Sequence, residues 1–171
     1  LPAGGGSGAL ETITRSGSSG GLRAEGGTLV VLNTTSSRPE ELFVLDAAEG
    51  GLRPLTRFNA DLLARLDFGR MEEYWFEGAG GDRVHGWLYF PPGFDPAQRY
   101  PLLQLMHGGP HTMNRDAWSY RWNAHAMAAP GYVVTWINRH GSTGFGEKFC
   151  QSIIGAWGEK PLEDILKGTD F

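Results

Sequence analysis

The sequence has a single cysteine, Cys150, and therefore no internal disulfide framework. It has no apolar run approaching the ~20 residues of a membrane-spanning helix. It has no basic block: 15 Lys and Arg stand against 19 Asp and Glu, a formal net charge of −4. That balance argues against nucleic acid or an anionic membrane as a partner. Residues 1–9 are too rich in glycine for a signal peptide and lack its charged start. The first methionine is Met71, and the chain stops at Phe171 inside a helical pattern. The expectation is a piece of a longer protein. Composition suits a cytoplasmic or a periplasmic location alike.

What is present divides the chain in two. Nine of the 26 glycines fall in residues 1–27, mixed with serines, which predicts loops between short strands or a flexible arm. Three strands follow, over Thr28–Asn33, Glu41–Asp46 and Leu52–Thr56, separated by turns at Thr34–Pro39 and Ala47–Gly51. Such a meander cannot cover both of its faces, so it belongs to a larger β array such as a propeller. From Phe58 the pattern changes. Asn59 stands where it can cap a short helix. Glu73–Phe76 and Val84–Phe90 read as aromatic-rich strands around a Gly78–Asp82 turn. Leu102–Met106 and Tyr132–Ile137 are almost continuously apolar, the mark of strands buried on both faces of a parallel sheet. Trp118–Ala129 between them is long enough for a crossover helix, which gives a right-handed βαβ unit. Glu147–Ile154 reads as helical, and Pro161 suits the first position of a further helix. The fold class is α/β, with residues 1–57 β-rich and residues 58–171 opening an α/β domain.

The chemistry is expected at the ends of the two apolar strands, where open α/β sheets bind ligands. His107-Gly108-Gly109-Pro110-His111 follows the first. Adjacent glycines let the backbone turn sharply and direct N–H groups outward, which suits a developing oxyanion. His107 and His111 are four apart, but Gly108-Gly109-Pro110 forbids the helix that a zinc pair at this spacing requires. No third ligand accompanies them, and nothing in the sequence calls for a metal or an organic cofactor. Asn138-Arg139-His140-Gly141-Ser142-Thr143-Gly144-Phe145-Gly146 follows the second strand. Its glycine spacing is the reverse of a dinucleotide fingerprint, so it reads as a structural loop beside a site. The literal G-x-S-x-G at Gly17–Gly21 has neither the strand before it nor the helix after it that a nucleophile elbow needs. Ser19 is therefore a decoy. Cys150, His85 and His125 read as core or surface residues without a motif.

These two loops, in this order, resemble the prolyl oligopeptidase family of serine peptidases, in particular its acylaminoacyl-peptidase and dipeptidyl-peptidase-like branch. Gly86-Trp87-Leu88, Pro91-Pro92-Gly93-Phe94, Tyr100-Pro101-Leu102 and Gly158-Glu159 with Asp164 are also similar. The resemblance implies the last strands of a β-propeller over residues 1–57. It implies the N-terminal portion of an α/β-hydrolase peptidase domain over residues 58–171. It implies a Ser-Asp-His triad, lying beyond residue 171, that cleaves short peptides. By the same analogy the Gly109 backbone N–H is an oxyanion donor, with His107 and Gly108 shaping its loop. The chain departs from the family where His140 replaces the usual Arg, Arg139 being one position early, and where Phe145 replaces a common Tyr. The Leu102–Met106 strand is expected at an open edge, beside the place of the nucleophile strand, and the missing C-terminal part of the domain is its partner there. An esterase or lipase fragment, and a non-catalytic propeller/hydrolase remnant acting as a binding module, are the competing readings.

Overall fold

The computed structural model describes residues 12, 14–46 and 51–171, which form two four-stranded sheets. The first is an antiparallel meander of β1 (Ser18–Glu25), β2 (Thr28–Thr35), β3 (Arg38–Asp46) and β4 (Gly51–Pro54), in that order across the sheet. β2, β3 and β4 overlap the three expected strands, but β2 and β3 run into the expected Thr34–Pro39 turn and β4 ends at Pro54 instead of Thr56. β1 corrects the expectation of loops or a flexible arm for this stretch: Gly-Ser-rich Ser18–Glu25 is a strand, paired with β2 through a register shift between Gly20 and Arg23. The earlier part of the expected arm, and residues 47–50 of the expected Ala47–Gly51 turn, lie outside the described residues. Ser19 sits within β1, where its hydroxyl accepts a hydrogen bond from Asn33 at 3.0 Å. It is a strand residue and not an elbow.

The second sheet has the order β5-β6-β8-β7, from β5 (Met71–Glu77), β6 (Arg83–Tyr89), β7 (Leu102–Leu105) and β8 (Val133–Asn138). β5, β6 and β8 pair antiparallel, and β7 pairs parallel to β8. β8 is central and buried on both faces, as its apolar run requires. One face packs Tyr74, Phe76, Val84 and Ile137 against Ile165 of α4 (Glu159–Asp170). The other packs Tyr89 and Val134 against Ala124 and Ala128 of α2 (Ala124–Ala128). β7 lies at the sheet edge, where Leu102 and the following Met106 are exposed.

The helices are shorter than the periodicity suggests. The crossover is helical only over α2. Upstream of it, Trp118 N–H is drawn to Thr34 Oγ1 at 3.0 Å and Trp122 N–H to Ser119 Oγ at 2.9 Å. Asn123 caps α2, its side chain accepting from Ala126 N–H at 3.0 Å. Asn59 does precede α1 (Ala60–Leu63), but its side chain makes no capping bond. α3 covers Glu147–Gln151 only, and of the two apolar residues beyond it Ile153 is buried while Ile154 is exposed. Pro161 is the third residue of α4 rather than the first. Its missing N–H is harmless there too, since the first four amides of a helix have no intrahelical acceptor.

The two sheets meet at the β2–β3 turn. Ser36 N–H donates to Asp116 Oδ1 at 2.6 Å, and Ser18 Oγ donates to the Asp116 carbonyl at 2.9 Å. The meander thereby anchors the 114–118 segment that runs from the end of β7 toward α2.

Candidate active site

β7 delivers His107–His111 at its carboxyl end. Gly109 has φ +108°, a conformation that residues with a Cβ rarely adopt. Gly108 and Gly109 are exposed, and among the described residues no acceptor meets the Gly109 N–H. The preceding carbonyls, by contrast, are both held. Arg139 Nη2 donates to His107 O at 3.1 Å, and His107 Nδ1 lies 3.1 Å from Gly108 O. A carbonyl only accepts, so Nδ1 carries the proton. His107 Nε2 faces Ser142 Oγ at 2.8 Å. Beside this loop lies a cleft of about 570 Å³, walled by Met106, His107, Gly108, Asn114, Trp118 and Trp122 among others.

His107 and His111 do not converge on a common point suited to a metal. His111 Nδ1 donates to Gly141 O at 3.0 Å, with the Cys150 sulfur 3.3 Å from the same nitrogen. Among the described residues no group of three His, Cys, Asp or Glu side chains could hold a metal ion. The loop after β8 is bound to the first loop at several points: Thr143 N–H donates to Thr112 O at 3.0 Å, and Asn138 grips Asn114 from both sides. Asn138 Oδ1 accepts from Asn114 N–H at 2.7 Å, and Nδ2 donates to Asn114 O at 2.8 Å. The structure thus brings the two motifs into one unit.

Sequence reasoning missed the group that holds this unit in place. His140 is fully buried and lies between two carboxylates, Asp164 Oδ2 at 2.7 Å from Nδ1 and Asp82 Oδ2 at 3.1 Å from Nε2. Asp164 is also fully buried and accepts from the amides of Ala79 at 2.7 Å and His140 at 2.6 Å. Phe149 stacks on the His140 ring at 4.3 Å. The cluster ties the loop after β8, the turn between β5 and β6, and α4 together. Gly141, with φ +93°, leaves room for Ile153, whose Cδ1 would stand 2.3 Å from a Cβ there. The one available signal was His140 standing in place of the family's usual Arg, with Asp164 in a separate matching segment after Gly158-Glu159.

His85 and His125 have the core roles expected of them. His85 Nδ1 accepts from Asn138 Nδ2 at 2.8 Å, and Nε2 faces Glu73 at 3.4 Å. His125 Nδ1 donates to the Phe68 carbonyl. Burial lowers the pKa of His85, His107 and His125 below the ordinary value. The unfolded chain, with histidines titrating near ~6.5, therefore takes up protons before the folded one as pH falls. Stability from these groups is whole above about pH 6.5 and is lost as pH drops toward the folded values. Asp82 adds a later step: the His140 hydrogen bond holds its carboxyl below the usual range, and its contribution disappears only as pH falls through that lowered value. Urea denaturation at pH 7, 6 and 5 is expected to give steadily lower stability, with proton uptake on unfolding increasing as pH falls. A flat profile over that window would contradict the burial argument.

Residues 118–171 match the model of the prolyl oligopeptidase family. A dipeptidyl-peptidase 5 of Porphyromonas endodontalis is 34% identical over 150 residues, covering 88% of this chain and 22% of that protein. A dipeptidyl-peptidase 5 of Schizosaccharomyces pombe is 43% identical over 100 residues, covering 58% of this chain and 15% of that protein. The solved acylaminoacyl peptidase of Pyrococcus horikoshii superposes with a TM-score of 0.77 at 28% identity, over 89% of this chain and 23% of that one. The chain spans about a fifth of the length of the curated relatives it matches. No helix among the described residues is long and apolar enough to cross a membrane.

Proposed function

We propose, from the premise that this chain belongs to the prolyl oligopeptidase family, that it supplies the oxyanion loop of a serine-type peptidase acting on short peptides. Residues 1–57 are the end of a β-propeller and residues 58–171 the N-terminal portion of an α/β-hydrolase domain. The Ser-Asp-His triad comes from segments outside these 171 residues, so the chain by itself is inactive. The observation that carries the reading is the exposed Gly109, whose amide meets no acceptor among the described residues, at the carboxyl end of an edge strand.

In this reading β7 pairs along its free edge with the strand that bears the nucleophile, which sets the serine beside the Gly108–Gly109 turn. As the serine adds to the scissile carbonyl, negative charge gathers on the carbonyl oxygen. The Gly109 N–H donates to that oxygen, and the amide following the nucleophile is the second donor. Such donors act because they are already aimed where charge develops, and they reorganise little during the reaction.

The test is the full-length protein. It is expected to be labelled at one serine by a fluorophosphonate and to cleave peptide amides, with dipeptidyl substrates tried first because the relatives are dipeptidyl-peptidases. Cleavage of simple esters with no activity on peptide amides would make it an esterase. Absence of any labelled serine would make it a non-catalytic protein.

A further inference from the structure

The Gly109 N–H is useful only if its peptide plane is held, and Gly109 itself has no side chain with which to hold it. The plane is shared with the Gly108 carbonyl, and in a trans peptide the C=O and the following N–H point in opposite directions. Whatever grips the Gly108 carbonyl therefore aims the Gly109 N–H. That grip is the His107 ring, through Nδ1 at 3.1 Å. A neutral imidazole carries one proton, and which nitrogen has it depends on the partner of the other. Here the partner is Ser142, fully buried, with Oγ 2.8 Å from Nε2. The backbone of Ser142 is fixed in turn, its N–H donating to Arg139 O at 3.0 Å. Arg139 reaches back to the His107 carbonyl at 3.1 Å, so two successive peptide planes of the loop are held.

We propose that Ser142 is a positioning residue for the oxyanion loop: the Gly108 carbonyl, which only accepts, calls for a proton on His107 Nδ1, and the Ser142 hydroxyl, by donating to Nε2, reinforces that Nδ1–H tautomer, holds the ring, and through the Gly108 carbonyl aims the Gly109 N–H outward. This rests on the serine-peptidase reading above and deepens it. Burial of His107, which disfavours the charged ring, keeps the device in its neutral form. A buried serine that merely satisfied a histidine would have no effect on turnover at constant fold.

The full-length protein carrying Ser142→Ala is to be compared with the wild type in two ways. Kinetics on a peptide amide are expected to show kcat lowered by ~10- to 100-fold, the range for misplacing a reacting group, with KM little changed because the interaction is made in the transition state. Solid-state 15N spectra of histidine-labelled protein are expected to show His107 with a bare Nε2 in the wild type and a mixture of tautomers in the variant. In a second pair, His107→Asn, whose amide NH2 stands near the place of Nδ1, is expected to retain more kcat than His107→Gln. Unchanged kcat in Ser142→Ala would overturn the proposal, and so would a lowered kcat with the His107 tautomer unaltered. A wild-type protein without peptidase activity would sink the functional reading instead, and the tautomer comparison would still decide whether Ser142 sets the ring.

Discussion

Replacing the Gly109 amide by an ester, with glycolate in place of the glycine, is expected to lower kcat of the full-length protein by ~10²–10³-fold, the usual effect of removing one oxyanion donor. The exchange turns N–H into O and leaves no new side chain. Gly109→Pro removes the same proton, but proline requires φ near −65° and Gly109 stands at +108°. That variant would rebuild the loop as well as strip the donor. Gly109→Ala provides the opposite control, since it keeps the N–H and adds strain at positive φ together with a 3.3 Å approach of the new Cβ to Thr112 Cγ2. Donation therefore predicts a definite order: the ester loses most of its turnover with KM nearly unchanged, while Gly109→Ala loses less wherever it folds. Equal turnover for the ester and the wild type would remove Gly109 from the reaction.

The parts of this site that were legible in the sequence are those written locally. The apolar run of β8 marks a buried interior strand, while that of β7 marks an edge strand with no buried residue; each is followed within one residue by its loop, so the pairing of motif with strand end was readable. β1 was not readable, because Ser18–Glu25 has no β-branched or aromatic residue and is a strand on account of β2, which supplies the ladder. The crossover helix was overread because Thr34, more than 80 residues upstream, captures the Trp118 amide, and a helix-period pattern contains no trace of that. The buried cluster was least visible. Asp82, His140 and Asp164 are separated by 58 and 24 residues, lie in a turn, a loop and a helix, and each alone resembles a solvated surface residue. The burial that makes them a unit exists only after the sheet has formed.

Asp164→Ala is expected to be the most destabilising single change in the described structure. The carboxylate is fully buried and accepts from three donors: the Ala79 amide, the His140 amide and the His140 ring. Its removal leaves two buried amides unpaired and the His140 imidazole with only Asp82. Breaking a buried, hydrogen-bonded charged group from one side typically costs ~3–5 kcal/mol, against a total of about 5–15 kcal/mol for a domain. The full-length protein is expected to show this as a large drop in the urea midpoint of the unit containing these residues, followed by hydrogen exchange of the β8 amides. Asp82→Asn should have a much smaller effect, because its side chain is about half exposed at 49% and water replaces what is lost. Comparable effects for the two variants, or a change below about 1 kcal/mol for Asp164→Ala, would show that the cluster does not hold the loop. If the predicted order is found, the site has a structural hierarchy. Asp164 fixes His140, His140 fixes the loop carrying Arg139 and Ser142, and those residues fix the two glycine peptides at the end of β7. Turnover and stability then respond to different links of one chain: Ser142→Ala should lower turnover with a smaller loss of stability than Asp164→Ala, and Asp164→Ala should lower both strongly.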